Sequence, residues 1–475
     1  MIPHPLLTRR QALQRLACGF GYLALSGIAA QAAVRGPANP LAPRPGHFPA
    51  RAKRVIFLFM GGGVSHLDSF DYKPVLYTHD GKMMDFLDQR SIAKTGAGST
   101  QRVMKPLWDF KQRGQSGRWV SELFPHMAQH ADDYCVIRSM HTEGVAHGPA
   151  TLFLHTGSTN LIRPSMGSWV TYGLGSENEN LPAFVSLSPT LANGGPRNYG
   201  SAFLPSVHQG TAIGRAGQRA SEAGIRNVRS PLRTPAEQQR HFELVRALNE
   251  QQLRARPGDY ELEAVASSYE LAWRLQTHAP DALDISKESP ATLKLYGIGE
   301  EPTDDYGRQC LTARRLAEAG VRFIQVNYSD NTNNPAWDQH ANMPKHKDHA
   351  MRVDKPVAGL LADLKARGLL EDTIVWWGSE FGRTPYAERN GTGRDHNPTG
   401  FTVLMAGGGF KPGFAYGETD EFGHFAIENK VHMHDLHATI LHQLGLDHEK
   451  LTFRHDGRDF RLTDVHGHVV KDLLI

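Results

Sequence analysis

The sequence predicts an α/β fold, an α/β/α sandwich with a largely parallel central sheet and a helical-hairpin insertion. Short runs rich in β-branched and aromatic residues alternate with longer amphipathic segments, which is typical of strands and helices in succession. Several of the apolar runs end at glycine and are followed at once by His, Asp or Glu. From about residue 215 to 285, two charged amphipathic segments interrupt the alternation, and we interpret them as the inserted hairpin.

Composition limits the possible functions before any motif is considered. The 475 residues are enough for one large core. The formal net charge of +3 gives no electrostatic reason to expect nucleic-acid binding. The 25 histidines are many for a chain of this length, and a large share of them lies in the C-terminal third. Because histidine is the commonest metal ligand, a metal site is the first expectation.

The N-terminus is expected to direct export rather than to join the fold. Residues 8–10 (TRR) begin a twin-arginine pattern, residues 16–30 are largely apolar, and residues 30–32 (AQA) resemble a cleavage site. The chain therefore divides into a Tat signal peptide, a Pro/Gly-rich linker and a folded domain, at residues 1–32, 33–53 and 54–475. We expect a periplasmic or exported protein that is delivered by the Tat machinery and that has no stable membrane span in its mature form. An uncleaved anchor behind a chance arginine pair is the alternative.

Six apolar runs are predicted as core strands. They are residues 54–60, 134–140, 181–187, 321–328, 373–377 and 401–406. Helices are predicted at residues 124–131, 149–155, 307–320, 347–367 and 431–447. Cys135 and Cys310 are the cysteines that remain after signal cleavage, and we expect two buried thiols.

Polar candidates follow the first two strands. The first strand ends in three glycines, which allow a close backbone approach, and Asp68 on the next turn is a candidate metal ligand. An aspartate that caps a tight turn is the alternative. The second strand leads into a helix start that carries Thr142 and His147, and such a start favours an anion. An ordinary helix-start histidine is the alternative there.

Two later strand ends combine carboxylate and imidazole groups. They carry Asp338 and His340 after the strand at 321–328, and Glu380, Arg383, Asp395 and His396 after the strand at 373–377. Such mixed ligands suit Zn, Mn or Fe more than Ca, whereas solvent-facing loop residues are the alternative. Ligands of α/β sheets bind outside the carboxyl ends of the strands. The four polar strand ends are therefore predicted to meet along one sheet edge as a metal-dependent site.

Over nearly its whole mature length the chain resembles the Tat-exported family called domain of unknown function 1501. The matching stretches include GGGVSHLDSFDYKP at 61–74, HTEGVAHGPATLFLHTG at 141–157, WDQH at 337–340 and GRDHNP at 393–398. More distantly, the chain is similar to the alkaline phosphatase and sulfatase superfamily. That resemblance implies the fold of the superfamily and the hydrolysis of phosphate or sulfate esters.

The distant resemblance also implies roles for particular residues. GLLEDTIVWWGSEFG at 368–382 looks like the sulfatase strand that ends in an acidic ligand, which implies that role for Glu380. Phe381 stands where the superfamily usually has histidine, so Asp395 and His396 are the expected replacement. WDQH implies ligand roles for Asp338 and His340, and the glycine turn implies the same for Asp68. These carry-overs make a set of six expected ligands.

The chain departs from the superfamily at the nucleophile. The position that carries Ser, Thr or Cys there, counted back from Thr156 and Gly157, is His147 in this chain. The Cys-x-Pro-x-Arg pattern of sulfatases is absent. His147 is therefore a candidate nucleophile, general base or further ligand, and Thr142 is the hydroxyl alternative. Arg383 is expected to hold an anionic ester oxygen or to form a structural ion pair with Glu380.

The leading hypothesis is an exported metal-dependent hydrolase of phosphate or sulfate esters that uses one or two Zn, Mn or Fe ions. Its partner would be an anionic ester, for which a sulfated polysaccharide is one candidate, and not a nucleic acid. A metal-bound hydroxide that acts without a covalent intermediate is an alternative mechanism. A non-catalytic exported protein of the same fold, which binds a sulfated polysaccharide or a partner protein, is the alternative function.

Overall fold

The structure is a computed structural model. It describes residues 40–86, 100–224, 233–256, 259–329, 332, 334–388 and 391–475. The expected signal peptide and the first residues of the expected linker lie outside these ranges. Within them, no helix combines the length and the apolar character that a membrane crossing requires.

A nine-stranded sheet forms the centre of the described structure. Its strands are β1 (Arg54–Met60), β2 (Tyr134–His141), β3 (Phe184–Leu187), β4 (Thr211–Ile213), β5 (Phe323–Tyr328), β6 (Thr373–Gly378), β7 (Phe401–Ala406), β8 (Ala415–Tyr416) and β9 (Val431–His432). They lie in the order β8-β2-β7-β6-β1-β5-β3-β4, and β9 pairs with β2. Among these described strands, β7 alone runs antiparallel to its neighbours. The expected largely parallel sheet is thus confirmed.

Helices pack on both faces of this sheet. The helices are α1 (Val75–His79), α2 (His147–Thr156), α3 (Met166–Leu174), α4 (Pro235–Ala255), α5 (Tyr260–Leu283), α6 (Pro290–Leu295), α7 (Asp304–Glu318), α8 (His346–Ala366) and α9 (Met433–Gln443). Side chains of a strand point alternately to opposite faces. In β1, Ile56 and Leu58 therefore join a core with α7 and α8, whereas Phe57 and Phe59 join a second core with α2, α3 and α9. Two cores separated by one sheet make an α/β/α sandwich.

The remaining sequence expectations have mixed outcomes. The expected hairpin is present as α4 and α5, whose Phe242 and Trp273 rings stack at 4.9 Å. The expected helix at 124–131 is wrong, because the structure has only the 3₁₀ turn Met127–His130 there. Cys135 and Cys310 are buried free thiols, one in each core.

A small second sheet lies beside the main one and completes the site. Its strands are Met83–Asp85, Thr100–Val103, Gly382–Ala387 and Arg394–Asn397. Arg383 and His396 face each other in the register of the last two strands. The glycine-containing stretch that follows β6 therefore forms two paired strands, which hold these two side chains in place.

Candidate metal centre

Residues from four strand ends meet at one edge of the main sheet. Because β1, β2, β5 and β6 are parallel, their carboxyl ends share that edge. The segments that follow supply Gly62 after β1, His147 after β2, Asp338 and His340 after β5, and Glu380 after β6. His396 joins them from the small sheet. The segments after β2, β5 and β6 thus bring side chains together at this edge, whereas the segment after β1 contributes only the Gly62 backbone.

Three imidazole nitrogens surround one carboxylate oxygen. Asp338 Oδ1 lies 2.8 Å from His340 Nε2, 3.1 Å from His147 Nε2 and 3.3 Å from His396 Nε2. One potential ligand atom from each of these four residues lies within 4.8 Å of all the others. His340 Nε2 and His396 Nε2 are 3.0 Å apart. This is near the spacing of about 3.3 Å between two ligands that each lie ~2.0 Å from one tetrahedral ion. We call these four residues the metal cluster.

Each imidazole of the metal cluster is held from behind by an oxygen. His147 Nδ1 lies 2.6 Å from Glu380 Oε1, and His396 Nδ1 lies 2.9 Å from the Val145 carbonyl oxygen. His340 Nδ1 makes a short contact with Glu388 Oε2. Since an ionised carboxylate or a carbonyl only accepts, each Nδ1 donates a proton and each Nε2 keeps its lone pair. The tautomers are therefore those that metal binding requires.

The donor set fits a transition metal. His147 Nε2 is buried and makes no aligned hydrogen bond, although it lies 3.1 Å from Asp338 Oδ1, and this is costly unless a cation satisfies the nitrogen. Imidazole suits Zn and Fe, and a mixed imidazole and carboxylate set also admits Mn. Calcium and magnesium prefer oxygen ligands throughout. The metal cluster is thus a candidate site for one Zn, Fe or Mn ion.

The electrostatics of the metal cluster favour an ionised Asp338 and a positive charge beside it. Burial by itself would raise the pKa of Asp338, but the three neighbouring imidazoles and the charge of Arg383 hold this pKa well below its usual range. Burial opposes a charged His147, yet Asp338 and Glu380 outweigh it and raise the pKa of His147. Burial lowers the pKa of His396 to about 4, so that its ring is neutral.

Gly62 makes the close packing at this edge possible. Its N–H donates to both Glu380 oxygens, at 2.9 and 3.1 Å, and its φ of 116° suits glycine. A Cβ at this position would lie 2.7 Å from the backbone nitrogens of Trp337 and Asp338. The glycine run after β1 is therefore needed so that the segment carrying Asp338 can reach the sheet edge.

Glu380 and Asp395 are near the metal cluster, but not in the positions that the sequence suggested. Glu380 is fully buried and holds His147 Nδ1, which places it behind a ligand rather than among the ligands. Asp395 accepts from the His396 N–H at 2.8 Å and lies 3.7 Å from His340 Nδ1. With Glu388 it forms a second group of potential ligand atoms around His340, on the outer side of that ring.

Asp68 and Thr142 are not brought into the metal cluster. Asp68 is fully buried, accepts from Arg394 Nε at 2.8 Å, and also binds the Ser65 hydroxyl at 2.6 Å and the Leu107 N–H at 3.0 Å. The Asp68 carboxylate is therefore engaged in a buried ion pair with Arg394 of the small sheet. The Thr142 N–H donates to the Pro398 carbonyl, while its hydroxyl has no hydrogen-bond partner among the described residues.

Arg383 is a structural anchor in this arrangement. It is fully buried and donates to the carbonyl oxygens of Gly63 at 2.9 Å and Arg394 at 3.0 Å. Its Nη2 also lies 2.7 Å from Asp338 Oδ1. The expected ion pair with Glu380 is replaced by one with Asp338, because Glu380 is occupied by Gly62 and His147. The N–H donors of Arg383 point at these protein oxygens, so Arg383 orients Asp338 and does not receive an ester oxygen.

Two contributors escaped the sequence analysis. Glu388 lies only five residues after Arg383 and differs in no visible way from other surface carboxylates. Val145 contributes a backbone oxygen, which no side-chain pattern can reveal. The only hint of Glu388 or of the Val145 carbonyl in the sequence would have been a histidine of the metal cluster with no acidic partner nearby.

A polar cleft of about 590 Å³ adjoins the metal cluster. Asp338 lies on its wall, together with residues from the end of β5, from α7 and from the start of α8. This volume is within the usual range of about 300–1,000 Å³ for small-molecule sites. Any group that reaches Asp338 from solvent through this cleft meets mainly polar side chains.

Fold and site together define a mixed α/β protein with a candidate transition-metal centre at the carboxyl edge of a largely parallel sheet. The family model described as "Protein of unknown function (DUF1501)" matches residues 52–474. The chain therefore belongs to the DUF1501 family, as its motifs indicated. Among curated proteins, no sequence matches the chain.

Several solved structures are similar to the chain at low identity. A sulfatase from Pseudoalteromonas sp. shows 14% identity and a TM-score of 0.36, over 90% of this chain and 72% of that one. A phosphonate monoester hydrolase from Silicibacter pomeroyi shows 10% identity and a TM-score of 0.36, over 89% and 76%. An alkaline phosphatase superfamily protein from Vibrio parahaemolyticus shows 8% identity and a TM-score of 0.34, over 86% and 70%.

Proposed function

We propose that this protein is an exported metal-dependent hydrolase of phosphate or sulfate esters. The observation that carries the proposal is the convergence of three Nε2 atoms on Asp338 Oδ1, each imidazole being fixed by an oxygen behind it. A bound Zn, Mn or Fe ion would act as a Lewis acid and lower the pKa of a bound water toward neutrality. The motif resemblance to phosphatases and sulfatases supports an ester as the substrate.

The geometry supports a ligand role for His147 over the other roles considered. A nucleophile or a general base needs a free ring nitrogen that faces the substrate. In His147, Nδ1 is held by Glu380 and Nε2 faces Asp338 Oδ1, and the side chain is only 7% exposed. Direct attack by water without a covalent intermediate is therefore the mechanism that we favour.

The chain's own residues have distinct tasks in this mechanism. Arg383 fixes the Asp338 carboxylate through a buried fork that is itself held by backbone carbonyls. Glu380 and the Val145 carbonyl hold the Nδ1 protons of His147 and His396. His340 is the most exposed member of the metal cluster, at 30%, and faces the solvent side. Because Asp338 lies on the wall of the polar cleft, substrate would approach through that cleft.

Export rests on the sequence alone. The twin-arginine pattern at 8–10 and the apolar residues 16–30 support transport of the folded protein. Transport in the folded state suits a metalloprotein, because the ion can be bound before the chain crosses the membrane.

The test is elemental analysis of the mature protein, purified without added metal or chelator, followed by assays with 4-nitrophenyl phosphate and 4-nitrophenyl sulfate. We expect about one Zn, Mn or Fe per chain and turnover of at least one ester, both lost in Asp338→Asn. Asp348→Asn is the matched control, because Asp348 lines the same cleft outside the metal cluster. Absence of metal after incubation with each ion would overturn the proposal, and metal without turnover would favour the binding-protein alternative.

A further inference from the structure

The first two turns of α8 form one wall of the cleft that adjoins the metal cluster. The cleft residues with charged or polar side chains on this wall are Lys345, Asp348, His349 and Arg352. Asp338 of the metal cluster lies on the same cleft. Asp338 and the start of α8 therefore line the same cleft.

Two cations on this wall are not used by the protein. Lys345 and Arg352 are exposed, and neither side chain forms an ion pair or hydrogen bond with a described residue. Asp348 stands three residues after Lys345 and four before Arg352, yet it pairs with neither. By contrast, Lys355 pairs with Glu300 and Arg367 with Asp363. The charge at the cleft is thus left available.

The backbone adds to this positive character. The 21-residue helix α8 begins at His346, and the N-terminus of a helix carries a partial positive charge, although the His346 N–H already donates to the carbonyls of Met343 and Pro344. Asp348 in the first turn offsets part of that charge. The other two carboxylates of the cleft are engaged, Asp305 by the Ala220 N–H at 2.5 Å and by Gln309, and Asp338 by Arg383. The free donors at the start of α8 therefore belong to Lys345 and Arg352.

We propose that Lys345 and Arg352 bind a second anionic group of the substrate, separate from the ester that lies at the metal cluster. This inference rests on the proposed function, and it narrows the substrate class to esters that carry an additional carboxylate, sulfate or phosphate. The metal cluster itself leaves no protein cation free for that purpose, because Arg383 is consumed by Asp338 and backbone carbonyls. The second charge must therefore be recognised elsewhere in the cleft.

Binding of stable analogues tests the inference without any hydrolysis. Isothermal titration calorimetry compares benzenesulfonate, with one charge, and 4-sulfobenzoate, with two, on the metal-loaded protein. We expect 4-sulfobenzoate to bind at least about tenfold more tightly, because charge-assisted hydrogen bonds to a second anion are added. The double variant Lys345→Gln/Arg352→Gln should lose this preference and keep its affinity for benzenesulfonate. Lys347→Gln, on an exposed neighbour in the same turn, should retain the preference.

Kinetics give a second reading. KM for 3-carboxy-4-nitrophenyl esters should rise about tenfold in the double variant, while the values for 4-nitrophenyl esters and the metal content stay unchanged. Equal affinity for the two sulfonates, or a preference that survives in the double variant, would overturn the inference. If the preference is present and lost as expected but no ester is hydrolysed, the hydrolase proposal fails and the anion site stands.

Discussion

The described residues include two regions rich in histidine, of which one offers a possible metal site and the other does not. In the metal cluster, three Nε2 atoms face one carboxylate oxygen. Around α9, the ring of His434 lies 5.3 Å from that of His432 and 6.0 Å from that of His437. Among the described residues, no group of three potential ligand atoms forms in this second region. We call it the core histidine group, with His155 as its fourth member.

The difference between the two regions lies in what stands behind and between the rings. The core histidines pack against aromatic side chains, and His437 Nε2 donates to the Leu154 carbonyl, so that this nitrogen is not available as a ligand atom. Burial is the main cause that lowers the pKa of His434 to about 2 and that of His437 to about 4. A high histidine content alone therefore does not create a metal site, because the ligand atoms must also converge on one point.

Replacing one histidine by glutamine in each region tests the difference between them most directly. His396→Gln removes an inner ligand, so we expect metal to fall to background and kcat/KM to fall by at least about 10⁴-fold. His434→Gln changes a buried ring that faces no carboxylate, and the metal content should stay at the wild-type value. Elemental analysis and ester assays of the two variants decide this. Equal loss of metal in both would contradict the distinction.

Two buried carboxylates extend the comparison to acidic residues. Asp68→Asn leaves Arg394 buried without its charge partner, so we expect a loss of about 3–5 kcal/mol in the free energy of unfolding. The metal content should not change, because Asp68 does not reach the metal cluster. Urea denaturation and elemental analysis of the same sample measure both quantities. A stable variant that has lost its metal would restore Asp68 as a ligand.

Glu380 tests how much the acceptors behind the rings contribute. Glu380→Gln keeps the size of the side chain but weakens its hold on His147 Nδ1, and metal affinity should fall about 10- to 100-fold. Competition with a chromogenic chelator measures that affinity directly. Glu371→Gln, an exposed glutamate before β6, is the control and should bind metal as the wild type does. An unchanged affinity in Glu380→Gln would mean that Glu380 does not position His147.

The core histidine group should make stability depend on pH in a defined direction. Burial lowers the pKa of His155 to about 3 and that of His437 to about 4, whereas both are near 6.5 in an unfolded chain. Below about pH 6.5 the unfolded chain binds protons first, so stability falls by at most ~1.4 kcal/mol per pH unit for each group. The loss continues down to about pH 4 and pH 3 respectively, and above about pH 6.5 these groups have no effect.

Urea denaturation at about pH 7.5 and about pH 5 measures this slope. His155→Gln removes one titrating ring, and its stability should decline less between the two conditions than that of the wild type. Identical declines would show that His155 does not contribute. This effect is the smallest of the four, and it concerns the region without a metal role.

Much of the fold follows from local pattern. The strand limits at 54–60 and 401–406 agree with the structure, because fully buried strands require uninterrupted apolar residues. The start of α2 was expected two residues late, since His147 and Gly148 are poor helix formers that Pro149 obscures. The expected helix at 124–131 failed for another reason. Its Met127 N–H and His126 N–H are held by Asp354 of α8, a distant residue that no local pattern contains.

The sequence by itself determined the alternation of strands and helices, the family, and the set of strand ends on which polar residues lie. These depend on short-range periodicity and on the rule that parallel strands end at one edge. Only the tertiary structure decided that Asp338 is inside the metal cluster, Glu380 behind it and Asp68 away from it. The physical reason is that a carboxylate's role depends on its neighbours: Gly62 and His147 bind Glu380, Arg394 binds Asp68, and three imidazoles surround Asp338. Those neighbours lie far apart in the chain and meet only when the sheet has formed.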